Sequence, residues 1–297
     1  VNPEIRVLWL AHSLASQLIR QTGEKLLPES EYSADYNQVG AQALSGFKLN
    51  LMKYVQLTRK PRTINVSLFE QVFARYPFDL VIGDESYEIA DALGKGEVQI
   101  GCQMVLIEDF VGLEAITHNP LETLGVYQRN RARILYAPLV RSRLTHLFVG
   151  ELDDIPDKRF GFLLPNRREF ARKYYHFLGY VIRFDPADYT DKARNKASLG
   201  YGPGPLLICA TGGTCAGKEM LEICGKAYPL LRKDIPDLHM VAVCGELFGL
   251  EPPQLPPGVE LRTYIPDMYQ HYAACDMAVV VGGGTTTVEL TALRRPF

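Results

Sequence analysis

Runs of β-branched and other apolar residues alternate with amphipathic helical patterns along the chain. Residues 4–11 (EIRVLWLA) predict a strand, and residues 13–24 predict the helix that follows it. Residues 67–75 have the apolar spacing of a helix, and residues 78–83 (FDLVIG) predict a buried strand after a Tyr-Pro break. This repeated order of strand and helix is typical of parallel sheets that are covered by helices.

The second half of the chain alternates more strictly than the first. A predicted strand at residues 179–184 leads into the polar residues 185–204, whose Gly and Pro content predicts a domain junction. We therefore expect two Rossmann-like domains, residues 1–186 and 187–297, and an α/β fold class with parallel sheets. In the second domain the predicted strands are 206–211, 239–244, 259–264 and 277–281, and the predicted helices are 216–231, 268–275 and 285–294.

Acidic residues follow two predicted strands in the first half. Asp84 and Glu85 come directly after the strand at residues 78–83, and Glu108 and Asp109 come after a further predicted strand at residues 100–107. Ligands of open α/β sheets bind beside the carboxyl ends of the strands. These two acidic edges are therefore candidate site residues.

Composition narrows the function classes. A net charge of −2 argues against nucleic-acid binding, which normally requires a clear excess of Lys and Arg. Six scattered cysteines without a Cys-x-x-Cys pair indicate reduced thiols and a cytoplasmic protein. The six histidines show neither His-x-x-x-His spacing nor a carboxylate cluster, so we expect no metal site. No run of apolar residues is long enough to predict a membrane-spanning helix.

Residues 127–176 are rich in basic and aromatic side chains. Eleven basic residues against five acidic ones leave this segment with a charge of about +6. A solvated helix face is the simpler interpretation. The alternative is peripheral contact with anionic lipid headgroups, at the inner face of a membrane, or with an acidic acceptor.

Two glycine-rich turns follow predicted strands and open predicted helices. Such turns present free backbone N–H groups and a positive helix end to phosphate, although they are also a common way to begin a helix. The first turn satisfies the Gly-x-x-x-x-Gly-Lys pattern of a P-loop, but Glu219 stands where a P-loop needs Ser or Thr for magnesium. A P-loop kinase or ATPase is therefore disfavoured. The turns are Gly212-Gly213-Thr214-Cys215-Ala216-Gly217-Lys218 and Gly282-Gly283-Gly284-Thr285-Thr286-Thr287.

The order and spacing of the segments in the second half resemble the donor-binding domain of GT-B glycosyltransferases. The likeness is greatest to the family 28 type, which includes the N-acetylglucosaminyltransferase of peptidoglycan synthesis. It implies two Rossmann-like domains with a cleft between them, the acceptor domain first and the donor domain second. The segments that carry it are Gly212-Gly213-Thr214, Tyr264-Ile265-Pro266-Asp267-Met268, Ala274-Cys275-Asp276 and residues 279–289.

The resemblance implies a role for each donor-site residue. Ile265 would lie beside the uracil, or would simply be a core residue. Glu289 would accept hydrogen bonds from both ribose hydroxyls, and Arg183 would neutralise the diphosphate. The backbone and hydroxyl groups that would hold the diphosphate belong to Gly212, Gly213, Thr214, Gly283, Gly284, Thr285 and Thr286.

The first half resembles the acceptor domain less specifically. Glu108 matches a glutamate of the relatives, so that Glu108 or Asp109 is a candidate base for the acceptor hydroxyl; either carboxylate could equally bind the acceptor or cap a helix. The chain starts at Val1-Asn2-Pro3 and, by the resemblance, at the second strand of the family. We therefore expect truncation at both ends, with the main base outside the chain.

The implied reaction is metal-independent, inverting transfer of a hexose or N-acetylhexosamine. The donor would be a nucleoside-diphosphate sugar, expected to be UDP-linked, which is a co-substrate, so that no bound cofactor is expected. The acceptor would be a hydroxyl of a lipid-linked or cell-envelope glycan. Two alternatives stay open: a sugar-nucleotide epimerase of the same architecture, and a non-catalytic sugar-nucleotide-binding protein.

Overall fold

Two four-stranded parallel sheets organise the chain, one in each of two units. The computed structural model describes residues 4–45, 48–212, 217–245 and 251–297. The first unit consists of Val1–Tyr36 and Leu51–Val181, and the second consists of Asn37–Asn50 and Ile182–Phe297. The predicted α/β class with parallel sheets is confirmed.

The sheet of the first unit has four parallel strands in sequential order, β3-β4-β5-β6. Helices connect the strands and cover them, as parallel crossovers require. The elements up to this sheet's last strand are α1 (Ser13–Gln21), α2 (Tyr36–Ala43), β1 (Leu44–Ser45), β2 (Lys48–Leu49), α3 (Leu51–Leu57), α4 (Arg59–Arg75), β3 (Leu80–Asp84), α5 (Tyr87–Lys95), β4 (Gln103–Glu108), α6 (Pro120–Val140), β5 (Leu144–Phe148), α7 (Arg167–Tyr174) and β6 (Tyr175–Phe177).

Two strand predictions at the margins of the first unit were wrong. Residues 4–11 form no strand; a single isolated bridge joins Trp9 to Leu26. Their alternating apolar residues are largely exposed. Trp9 pairs with residues 25–27 through two backbone hydrogen bonds, Trp9 N to Lys25 O and Leu27 N to Trp9 O, but among the described residues the pairing does not extend beyond this one bridge. Residues 180–184 are also outside any strand, because the chain pairs earlier, at β6.

The basic segment 127–176 contains regular structure throughout much of its length. It includes most of α6 and all of β5 and α7. Local signals account for α6: Asn119 caps its first turn by accepting a hydrogen bond from Leu121 N, and Pro120 occupies the position where a missing N–H costs least.

The sheet of the second unit has the order β10-β7-β8-β9, again with all strands parallel. All four predicted strands and the three predicted helices are confirmed, with shifts of a few residues at their ends. The elements are α8 (Lys192–Ser198), β7 (Leu206–Ala210), α9 (Lys218–Asp234), β8 (His239–Val243), β9 (Val259–Arg262), α10 (Met268–Ala274), β10 (Met277–Val280) and α11 (Gly284–Ala292).

Strand β7 is the centre of this sheet. Its five residues are all buried, and alternate side chains enter two hydrophobic clusters. Ile208 packs with Tyr272 and Leu290 of the last two helices, whereas Cys209 packs with Leu221 of α9. Helices therefore cover both faces, which explains why β7 is apolar at every position.

The strand ends that lead into the two glycine turns are neighbours because β7 pairs with β10 in parallel. Ala210 at the end of β7 lies opposite Val280 at the end of β10. The chain winds from β7 to one side through β8 and β9 and returns to the other side with β10, so the direction reverses between β7 and β10. Such a reversal is where open α/β sheets bind their ligands.

Gly217 lets the turns approach closely. Its φ is +119°, and a Cβ there would lie 2.7 Å from Val281 Cγ2 and 2.9 Å from Thr211 Cγ2. Val281 directly precedes the second glycine turn. A side chain at residue 217 would therefore separate the two turns.

We expect Gly217→Ala to lower the free energy of unfolding by about 2 kcal/mol or more, because it adds both backbone strain and overpacking. Urea denaturation monitored by circular dichroism measures this change. Gly202→Ala is the matched control, since a Cβ at Gly202 meets nothing within 4 Å. Equal stability of the two variants would contradict the proposed close packing.

Candidate functional site

The second glycine turn presents an exposed helix start. Gly282 has a φ of +82°, Gly283 is the N-cap residue of α11, and no side chain caps the helix. The Thr287 hydroxyl donates back to the carbonyl oxygens of Gly283 and Gly284. The first N–H groups of α11, those of Gly284, Thr285 and Thr286, have no acceptor within the helix and are available to an anion.

The first glycine turn is described in part. Gly212 has a φ of +76° and directly follows Thr211, whose N–H donates to Val243 O. Gly213 and Thr214, the other predicted phosphate ligands in this turn, lie outside the described residues. Their predicted role stays a prediction.

Glu289 is a buried carboxylate in the second turn of α11. Glu289 is 6% exposed, and no described residue donates a hydrogen bond to its carboxylate. The nearest cation is Arg183, whose Nε lies 3.9 Å from Glu289 Oε1. Burial raises the pKa of Glu289, and the charge of Arg183 opposes that rise. The carboxylate oxygens keep some contact with solvent, so the hydroxyls of a ligand can reach them and supply the missing donors.

Arg183 connects Glu289 to a second acidic residue. Its Nη1 lies 3.3 Å from Asp267 Oδ1, and its guanidinium carbon lies 4.8 Å from the ring centre of Tyr269. Tyr269 in turn stacks on Phe184, with 4.4 Å between ring centres. The arginine is thus held at a half-exposed position from which it can reach an anion.

The sequence pointed to Arg183 and Glu289 separately, and the structure brings them together. It also adds Asp267 and Tyr269, which had no assigned role. Asp267 has a φ of +49° and is the N-cap residue of α10. The only sequence signal for a role of Asp267 was its position in the Tyr264-Ile265-Pro266-Asp267-Met268 segment. That segment does not indicate that Arg183 is its partner.

Ile265 lies in the hydrophobic core of the second unit. It is buried and packs in one cluster with Tyr272 and Leu290, whereas its neighbour Tyr264 is exposed. Of the two interpretations from the sequence, this position fits the core residue. Contact with a nucleobase stays a prediction, and the backbone around Ile265 would have to provide it.

In the first unit, Glu108 belongs to a buried ionic network. It is fully buried at the end of β4, with Arg133 Nη2 2.7 Å from Oε1 and His146 Nδ1 2.5 Å from Oε2. Arg133 also donates to the Tyr175 hydroxyl at 3.2 Å. Because both oxygens of Glu108 are occupied by these ion pairs, its exposed neighbour Asp109 is the better candidate base of the two.

Asp109 shares a hydrogen bond with Glu85, across the carboxyl ends of β3 and β4. Partial burial, this hydrogen bond and the charges of Asp109, Asp84 and Glu108 raise the pKa of Glu85 to about 7. Glu85 also has a φ of +49°, which few residues other than Gly adopt. The buried Tyr87 hydroxyl nearby receives no hydrogen bond from the described residues. The two acidic edges expected from the sequence therefore form one carboxyl pair.

The described residues contain neither a cluster of metal-ligating side chains nor a helix that could span a membrane. Residues 4–45, 48–212, 217–245 and 251–297 contain no group of three His, Cys, Asp or Glu side chains that could hold a metal ion. No helix in these ranges is long and apolar enough to cross a membrane.

Comparison with known proteins gives a fold but no family. No family model matches the chain, and no curated protein matches it significantly. The glycosyltransferase of kitacinnamycin aligns with a TM-score of 0.54 and 17% identity over 96% of this chain and 70% of its own. The chain has the GT-B fold. Two further structures align over similar lengths at 14% identity: the calicheamicin glycosyltransferase CalG4 (98% of this chain, 70% of that one, TM-score 0.49) and the glycosyltransferase SnogD from Streptomyces nogalater (96% and 71%, TM-score 0.48).

The Glu85–Asp109 pair predicts a specific pH dependence. Because the pKa of Glu85 is raised from 4.5 to about 7 in the folded protein, its protonated form stabilises the fold below pH 4.5, and this stabilisation is lost as pH rises through 7. We expect carbon NMR of the carboxyl groups to show Glu85 titrating near 7. Asp109→Asn should lower this pKa, because it removes a neighbouring negative charge.

A stability series provides the control for this titration. Glu85→Gln should remove the loss of stability between pH 4.5 and 7, whereas Glu70→Gln, an exposed change on α4, should keep it. Titration of Glu85 near 4.5 would show that the two carboxyl groups are not paired.

Proposed function

We propose that the chain acts as a glycosyltransferase that uses a nucleoside-diphosphate sugar as its donor. The observation that carries the proposal is Glu289, a buried carboxylate without hydrogen-bond donors among the described residues, one turn beyond the exposed start of α11. A ribose with two adjacent hydroxyls supplies two donors to one carboxylate. The GT-B fold is consistent with this use.

The diphosphate would bind at the start of α11. The N–H groups of Gly284, Thr285 and Thr286 and the positive end of the helix favour an anion there. Arg183 is close enough to Glu289 to contact a diphosphate attached to the same ribose. The predicted contributions of Gly213 and Thr214 would complete this site from the first glycine turn. UDP is the proposed nucleotide, by resemblance to the family 28 type.

The proposed reaction is a direct displacement at the anomeric carbon. An acceptor hydroxyl attacks as a base removes its proton, the bond from the sugar to the diphosphate breaks, and the leaving nucleoside diphosphate takes the electron pair. Helix N–H groups and Arg183 stabilise the charge that develops on the diphosphate. By the family 28 resemblance the candidate bases are Glu108 and Asp109, of which Asp109 is the exposed one.

The finer assignments are part of the same proposal. They are inversion at the anomeric carbon, independence from metal, a hexose or N-acetylhexosamine as the transferred sugar, and a lipid-linked or cell-envelope glycan as the acceptor. All of them are what the family 28 resemblance implies, and a donor site built from backbone, hydroxyl and guanidinium groups supports metal independence.

Calorimetry with UDP tests the donor site. We expect the chain to bind UDP, and Glu289→Gln to weaken binding at least about tenfold, because the amide loses the charge that strengthens both ribose hydrogen bonds. Glu251→Gln, an exposed change in the same unit, should leave the affinity unchanged. The preference for UDP over its 2′-deoxy form should shrink in Glu289→Gln.

Two outcomes would contradict the proposal. If Glu289→Gln binds UDP with unchanged affinity, Glu289 does not bind the ribose hydroxyls. Turnover of UDP-N-acetylglucosamine by the full-length protein to an epimeric sugar nucleotide, with no acceptor present, would identify an epimerase and remove the transferase.

A further inference from the structure

A tight turn in the first unit exposes two large apolar side chains. Leu164 N donates to Gly161 O at 3.1 Å, which closes a β-turn with Phe162 and Leu163 at its centre. Phe162 is 81% exposed and Leu163 is 78% exposed, more than any other large apolar residue in the described part of the chain. The turn lies between α6 and α7 in sequence, outside the candidate donor site.

The backbone of this turn does not favour a leucine. Leu163 has a φ of +59°, in the left-handed region where Gly or Asn is normally found. A branched side chain there costs about 1–2 kcal/mol in backbone energy. Leucine at this site is therefore unfavourable in water for two reasons: its side chain is exposed and its backbone conformation is strained. Contact of the side chain with a binding partner would account for its presence.

The turn is held firmly at its base. Phe160 and Leu164, on either side of the tip, are buried in one hydrophobic cluster. Asn130 Nδ2 donates to Phe160 O at 2.9 Å, and Arg159 Nη1 donates to Leu164 O at 3.2 Å. The two apolar side chains are thus presented on a fixed support, so little ordering is needed when they bind.

Further apolar surface continues from the turn along α6. A Cβ at Gly161 would meet the Tyr127 ring at 2.8 Å, which places the turn against this helix. Leu124 precedes Tyr127 by three residues and Leu121 precedes Leu124 by three, so each is a neighbour of the next along the helix surface, and both leucines are exposed. The apolar tip is therefore part of a wider surface rather than an isolated pair of residues.

Basic side chains surround this surface. Arg159 lies at the base of the turn, and Arg131 lies one turn beyond Tyr127 on α6; neither forms an ion pair with any described residue. The nearby Glu114 is already neutralised by Lys158 and Arg167. An anionic partner with an apolar interior would satisfy both the free cations and the exposed apolar tip.

We propose that the turn at residues 161–164 inserts Phe162 and Leu163 into the interfacial region of an anionic lipid bilayer, with Arg159 and Arg131 at the headgroups. This proposal gives the basic segment 127–176 a defined contact and does not depend on the donor site. Apolar insertion supplies most of the binding, and the cations supply its preference for anionic lipid.

Co-sedimentation with vesicles tests the proposal. We expect the chain to sediment with vesicles of phosphatidylcholine containing about one third phosphatidylglycerol, and much less with phosphatidylcholine alone. Phe162→Ser should weaken partitioning into the vesicles at least about tenfold, because it removes the larger of the two apolar side chains that insert into the bilayer. Arg131→Gln should weaken it about fivefold, and high salt should weaken it further.

Leu163→Gly is the most informative variant. Glycine relieves the left-handed strain, so the variant should unfold at the same temperature as the parent chain or higher, and yet bind vesicles less tightly. Loss of binding in a fold that is at least as stable cannot come from misfolding. Leu230→Ser removes a leucine that is 60% exposed on α9 and should bind vesicles like the parent chain.

Two results would overturn the proposal. One is vesicle binding by Phe162→Ser and Leu163→Gly that equals binding by the parent chain. The other is absence of vesicle binding together with a dimer, seen by analytical ultracentrifugation, that both substitutions abolish; the turn would then be a contact between copies of this chain.

Discussion

The parallel pairing of β7 with β10 is the contact on which the candidate donor site depends. It brings the ends of the two strands, Ala210 and Val280, to the same edge of the sheet. Each strand then enters a glycine turn and a helix. Gly217, which leaves room for Val281, allows the turns to approach within van der Waals distance. Open α/β sheets bind ligands where the winding direction reverses between two parallel strands, and we propose that this reversal binds a negatively charged one.

Electrostatics then distinguishes this edge from an ordinary helix start. Glu289 is buried beside a single cation, Arg183, which is itself shared with Asp267. No described residue donates a hydrogen bond to this carboxylate, and we propose that the two hydroxyls of a ribose do so. The same arginine can turn to a diphosphate. Binding energy at the site would therefore come from charged and polar groups that have too few hydrogen-bond or ion-pair partners within the folded chain.

Much of the second unit could be predicted from sequence, because its elements are local patterns. Apolar runs, glycine turns and helix starts each lie within a few residues. The pairing of Arg183 with Asp267 joins residues far apart in the chain, and no local pattern reports it. Residues 4–11 alternate between apolar and polar positions as a strand does, but a strand also needs a neighbouring strand that pairs with it along its length. No local pattern reports that the turn at residues 161–164 exposes both Phe162 and Leu163.

The central claim is that a nucleoside diphosphate binds at the start of α11 and is held by Glu289. Amide NMR spectra of the chain with and without UDP test it most directly. The account predicts that the largest shifts belong to Gly283, Gly284, Thr285 and Thr286, and that the Glu289 carboxyl carbon shifts as ribose hydrogen bonds form. Saturable UDP binding with shifts confined to other elements, and none along residues 282–289, would contradict it.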